Sequence, residues 1–151
     1  MGEGFSRAME ALQKLSRRQL DALGAVAHFE TPDRGAPLKS VARTLHTSPP
    51  TALGHLTQLE DLALIDRFRG KSRLTELGRS TLIEYRRHHR VAETLFGSLG
   101  LAPAATCAAA KEIDLAISHH TIEELCRAQR HPEECPHGQP IGPCHSRDLG
   151  N

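Results

Sequence analysis

Three of the chain's four cysteines fall in residues 126–145, where Cys126, Cys135 and Cys144 alternate with His131, His137 and His145 and four prolines keep the backbone out of regular structure. Thiolate and imidazole are borderline-soft donors, better suited to Zn²⁺, Fe²⁺ or an iron–sulfur centre than to Mg²⁺ or Ca²⁺. The spacing is not a doubled Cys-x-x-Cys, so alone the run reads equally as a metal site or as a solvated, proline-rich tail. The sequence of 151 residues holds no apolar run near the ~20 needed to cross a bilayer, and no signal segment is read at its start. A soluble, cytoplasmic protein is expected, whose cysteines in a reducing compartment are ligands or reactive thiols rather than a disulfide framework.

The elements upstream decide between these readings. A formal net charge of +1 argues against a partner gripped by bulk charge and leaves local basic patches open. With no Trp and one Tyr, a stacking platform for single-stranded nucleic acid is not expected. Phe5, Ala8, Met9, Leu12 and Leu15 recur at helical spacing, and Ser16 can cap a second helix carrying Leu20, Leu23, Val26 and Ala27 on one face. Residues 31–37 break it with two prolines and a glycine. A short helix over 38–45, a tight turn at His46 and Thr47, and Ser48 as N-cap of a helix over 49–62 with prolines in its first turn make a helix-turn-helix. Residues 64–69 alternate like a strand, 70–72 can turn, and Arg73 and Leu74 return before Thr75 caps another helix, which describes a two-stranded wing.

In such a domain the second helix enters the major groove. Ser48, Pro50, Thr51, His55 and Gln58 are therefore the candidate groove contacts. Lys39 on the preceding helix, and Arg67, Arg69, Lys71 and Arg73 on the wing, are candidate phosphate contacts. Ala52, Leu53, Leu56 and Leu59 are expected to face the core. A long helical pattern then runs over 75–99, mildly interrupted by Gly78 and closed by Gly100, followed by an alanine-rich helix over 104–117 and a last helix capped by Ser118. These three helices are too lightly hydrophobic to close a core alone, so a symmetric dimer is expected.

At this point the chain resembles the diphtheria toxin repressor family of iron- and manganese-dependent transcriptional regulators. The resemblance rests on the order of elements, on Leu74-Thr75-Glu76-Leu77-Gly78, on the helix bearing His89 and Glu93, and on Cys135-Pro136-His137-Gly138-Gln139-Pro140-Ile141. It implies a mostly α fold: a winged helix-turn-helix DNA-binding domain over 1–75, a helical dimerisation and metal-binding domain over 76–130, and a Cys/His/Pro-rich tail over 131–151. It also implies a homodimer that binds a palindromic operator in double-stranded DNA and represses metal-uptake genes when its metal is bound. No enzymatic activity, catalytic residue, small-molecule substrate or membrane partner is implied.

By the same resemblance His89 and Glu93, four apart on one helix face, are metal ligands, and Cys107 stands where members with two sites use a His. The family's other site departs from pattern. Its positions are Lys111, Asp114 and Leu115, of which only Asp114 is an ordinary donor, and Asp21 is a doubtful match for the acidic ligand near the N-terminus. Cys126, Cys135, His137 and Cys144 are the expected replacements, joined with Cys107, while His119, His120, His131 and His145 are reserves. Fe²⁺ is the expected ion; Zn²⁺, Mn²⁺ or a four-cysteine iron–sulfur cluster are the others that these donors suit. Rival functions are a constitutive DNA-binding protein with a structural zinc site and an iron–sulfur redox-sensing regulator.

Overall fold

The computed structural model describes residues 2–144, which form two compact units, one up to Glu84 and the other from Tyr85 on. His145 lies outside the described residues. No helix among them is long and apolar enough to cross a membrane.

The first unit is a winged helix. Helices α1 (Gly2–Gln13) and α2 (Arg17–Phe29) are followed by strand β1 (Ala36–Pro37), helices α3 (Leu38–Thr44) and α4 (Pro49–Asp61), and strands β2 (Ile65–Phe68) and β3 (Lys71–Leu74). A capping box starts α2: the Ser16 hydroxyl accepts from the Gln19 amide at 3.3 Å while the Gln19 side chain accepts from the Ser16 amide at 2.8 Å. Leu20, Leu23 and Val26 of α2, Val41 of α3, and Ala52, Leu56 and Leu59 of α4 are all buried. The turn between α3 and α4 is held by His46 in the left-handed region (φ 51°) and by the Thr47 amide, which donates back to the Ala42 carbonyl at 3.1 Å.

Three local expectations are corrected. Leu53 is exposed: with Ala52, Leu56 and Leu59 defining the buried stripe at i, i+4 and i+7, residue 53 falls one position round the helix toward water. The wing turns on two residues rather than three, because Arg69 (φ 50°) and Gly70 (φ 72°) both take the left-handed conformation that a two-residue hairpin demands, so the return strand starts at Lys71. The break over 31–37 contains a third strand, since Ala36 and Pro37 pair antiparallel with Ser72 and Lys71 at the sheet edge, where Pro is tolerated.

Helix α5 (Glu76–Ser98) starts in the first unit and continues into the second. Its entry explains the Leu-Thr-x-x-Gly motif. The Thr75 amide donates to the Leu64 carbonyl at 3.0 Å, its hydroxyl donates to the Ala63 carbonyl at 2.7 Å, and the same hydroxyl accepts from the Gly78 amide at 3.0 Å. This clamps the helix start so close to β2 that a Cβ on Gly78 would lie 2.0 Å from the Leu64 oxygen. Gly78 is therefore a contact point and not a mild interruption.

In the second unit the remainder of α5 is joined by α6 (Pro103–Ile113) and α7 (His119–Ala128). Helix α5 closes with Gly100 at φ 98° and the Leu101 amide on the Phe96 carbonyl. Helix α6 stops at Ile113, four residues before the expected end, with Asp114 as its cap. Ser118 caps α7 by accepting from the Thr121 amide at 3.2 Å. Residues 131–144 then make a small hairpin-like loop: Ile141 donates to the Glu133 carbonyl, Cys135 to that of Gln139, and Gly138 to that of Cys135. Its apolar anchors, Cys135, Ile141 and Cys144, pack with Val91, Ile122 and Cys126. Pro136 rests on α5 at Gly97, where a Cβ would meet the proline ring at 2.9 Å.

Candidate metal centre

Helical spacing puts His89 and Glu93 on one face of α5, as read from the sequence. Glu93 is buried and His89 half-buried. The His89 Nε2 lies 3.6 Å from Glu93 Oε1 and 3.5 Å from the Cys107 Sγ of α6. These three donor atoms all fall within 4.8 Å of one another. The loop supplies Cys135 and His137, which form a second such trio with the same carboxylate; His137 Nδ1 is 3.1 Å from Glu93 Oε1. Four donors from two helices and one loop thus surround a single buried carboxylate, with Pro136 against Gly97 and the Arg90 guanidinium donating to the Pro140 carbonyl at 2.6 Å to hold the loop there.

Asp114 occupies a different role from that of a direct donor. Its Oδ2 accepts from the Nδ1 side of His89 at 2.8 Å and from the Tyr85 hydroxyl at 3.1 Å. A carboxylate on Nδ1 orients the ring so that Nε2 faces Cys107 and Glu93. Lys111 and Leu115 are exposed and belong to none of the donor groups, and Asp21 is exposed on α2 in the first unit.

The tail cysteines do not act as one set. Cys126 and Cys144 pair with His131, one of the reserves, in a third group, and among the described residues no donor group contains more than two thiols. Among the described residues Cys107 shares no such group with Cys126 or Cys144. Cys135 lies in the turn of the loop, whereas Cys126 lies in the last turn of α7 and Cys144 at the far end of the loop.

The run 86–90 also hides buried charge. Arg87 is 3% exposed, with its Nη1 2.5 Å from Glu123 Oε1, and His88 is 2% exposed, its Nε2 3.0 Å from the Nδ1 of His119 and its ring stacked on that residue's. Burial first, then the neighbouring His119 and Arg87, push the His88 pKa down to about 4, so the ring is neutral at physiological pH. Nothing in the spacing separates these inward-facing residues from their exposed neighbour Arg86.

The segment 75–143 matches the family model described as iron dependent repressor, metal binding and dimerisation domain. This segment therefore resembles the metal-binding domain of the iron-dependent members of the diphtheria toxin repressor family. The proteins of that family are metal-dependent transcriptional repressors and not enzymes. Among solved structures, a hypothetical protein from Sulfolobus solfataricus matches 85% of this chain and 100% of its own at 26% identity and a TM-score of 0.79. A manganese-dependent transcriptional repressor in complex with manganese matches 83% of this chain at 25% identity and a TM-score of 0.69, and ScaR with bound Cd²⁺ does so at 25% and 0.72. The chain spans 58% of the length of the manganese-dependent repressor and 59% of ScaR. A comparison with curated protein sequences finds no significant match. The fold expected from sequence, a winged helix followed by a helical domain, is the fold of these repressors.

In the winged helix, the residues read as DNA contacts divide into those left open and those already engaged. Lys39, Pro50, Thr51 and Gln58 are exposed and His55 is half-buried. Ser48 and Thr51 share the α4 cap, their hydroxyls 2.9 Å apart, and Gln58 accepts from Gln19 at 3.0 Å. On the wing, Arg67 bonds Thr57 and Glu60 of α4, and Arg73 donates to the Pro32 carbonyl. Arg69 and Lys71 remain exposed at the tip, with the Arg69 guanidinium over the exposed Phe68 ring.

Proposed function

We propose that the chain is a homodimeric, iron-responsive repressor whose sensing ion is held by His89, Glu93 and Cys107, with Cys135 and His137 completing the set from the loop. The observation that carries this reading is the convergence of imidazole, thiol and carboxylate donors on buried Glu93. A buried carboxylate is costly unless a cation or hydrogen bonds compensate it. The donors fit a divalent transition ion: nitrogen and sulfur beside one carboxylate favour Fe²⁺ or Zn²⁺ over the harder Mn²⁺. When bound, the ion supplies the positive charge that lets Glu93 and the two thiolates share one site.

Helix α5 begins at the wing and carries His89 and Glu93, so it links the ion site covalently to the DNA-binding unit. Dimerisation is supported by the matched domain's description and by exposed Leu99, Leu101 and Leu115 in the second unit. Two copies of α4 about 34 Å apart would enter successive major grooves, with Arg69 and Lys71 on the flanking phosphates. Metal that binds this spacing better than others raises DNA affinity by that difference alone.

The test is binding of the full chain to a fragment of its own promoter, anaerobically, with Fe²⁺, Mn²⁺, Zn²⁺ or chelator. Fe²⁺ is expected to raise affinity about 5–150-fold. Equal affinity under all four conditions overturns metal sensing, and a larger response to Mn²⁺ or Zn²⁺ overturns the assignment to iron. Asp114→Asn is expected to weaken ion binding at this site by about 10–100-fold while leaving the helices intact, as followed by competition against a chromophoric chelator and by circular dichroism.

A further inference from the structure

We propose that Cys126, His131 and Cys144 form a second metal site, separate from the one at Glu93, which takes a borderline-soft divalent cation such as Zn²⁺ and fastens the end of the 131–144 loop to α7. Their ligand atoms all lie within 4.8 Å of one another, with Cys126 Sγ 3.7 Å from His131 Nδ1. Both cysteines are buried and His131 is half-buried.

The end of α7 builds the first half of the site. The His131 amide donates to the Cys126 carbonyl at 2.9 Å, with Arg130 at φ 61° and His131 at φ 55°. This closure returns the second residue past the helix cap to the third-last helical position, where an apolar contact is usual. Here the two residues brought together are a cysteine and a histidine. Two successive non-glycine residues in the left-handed region cost about 1–3 kcal/mol each, and such strain collects at ligand-binding positions. Cys144 arrives from the far end of the loop to complete the trio.

Charge supports the same reading. Cys144 Sγ donates to Glu123 Oε2 at 2.8 Å, and the other oxygen of Glu123 is 2.5 Å from the buried Arg87 guanidinium. Burial, together with its bond to Cys144, pushes the Cys126 thiol up to about 11. As each metal–sulfur bond forms, its thiol gives one proton to solvent and no electron moves. Two thiolates then balance the dication, while Glu123 stands against Arg87. A thiolate pair with one imidazole selects Zn²⁺ over Mn²⁺.

The site does not depend on whether the ion at Glu93 is the one sensed. To test it, Zn²⁺ is titrated into the full reduced chain and alkylation of each cysteine is followed by peptide mass spectrometry. Protection of Cys126 and Cys144 together, at one Zn²⁺ beyond that protecting Cys107 and Cys135, is expected. In a His89→Ala, Cys107→Ser, Cys135→Ser background the chain should still hold one Zn²⁺, and Co²⁺ should still give a thiolate charge-transfer band that His131→Ala or Cys144→Ser removes. Protection confined to Cys107 and Cys135 overturns the proposal, as does a Cys126–Cys144 disulfide that forms in the presence of Zn²⁺. The wild-type alkylation experiment decides even if a variant fails to fold, and loss of metal-dependent DNA binding with Cys126 and Cys144 still protected would count against the sensing reading alone.

Discussion

Glu93→Gln is expected to remove the response of DNA affinity to metal, bringing the gain of about 5–150-fold down to about one. Glu93 is the one residue shared by both trios, its Oε1 3.6 Å from His89 Nε2 and 3.1 Å from His137 Nδ1. Glutamine keeps the shape and one acceptor oxygen but not the negative charge that a divalent ion needs here. Because a buried carboxylate is itself costly without its cation, the metal-free variant should unfold no more easily than the wild type. A thermal melt in chelator therefore separates lost sensing from lost folding. His89→Ala should match it in the DNA assay, and a Glu93→Gln chain that still gains affinity with Fe²⁺ would remove Glu93 from the site.

Gly78→Ala is expected to destabilise the winged helix by about 2–4 kcal/mol, at the upper end of single substitutions. Alanine is normally the better helix former, so propensity predicts the opposite sign. The clash decides, because a Cβ 2.0 Å from the Leu64 oxygen meets backbone and cannot be relieved by a rotamer change. Relief requires the start of α5 to leave β2, which breaks the bond from the Thr75 amide to Leu64 and that from its hydroxyl to Ala63. At about 4–8 °C per kcal/mol for a unit of this size, the melting temperature should fall by about 8 °C or more. Gly24→Ala within α2, where an added Cβ meets nothing within 4 Å, is the control and should raise stability by about 0.5–1 kcal/mol. If both substitutions stabilise, the close approach of α5 to β2 is wrong.

Much of the fold was legible because its signals are local. Ser16, Ser48, Thr75 and Ser118 each cap the helix that follows them, and the 3.6-residue period picks out Leu20, Leu23, Leu56 and Leu59 as buried. The pairing of His89 with Glu93 also follows from four-residue spacing on one helix. In two places a neighbour distant in sequence decided the outcome: Leu64 fixed the need for Gly78, and β3 turned the proline break at 36–37 into an edge strand.

By itself the sequence determined the order of the helices, the helix-turn-helix with its wing, and a supply of soft donors too concentrated in 126–145 to ignore. It did not determine which donors meet. Tertiary structure alone divided the tail, sending Cys135 and His137 to Glu93 and leaving Cys126 and Cys144 with His131. It also placed Asp114 behind His89, buried Arg87 against Glu123, and tied Arg67 and Arg73 into the winged helix. The reason is physical: a proline-broken loop has no period, so its side chains take positions set by the surfaces they pack on, here Gly97, Val91 and Ile122 of the helical unit.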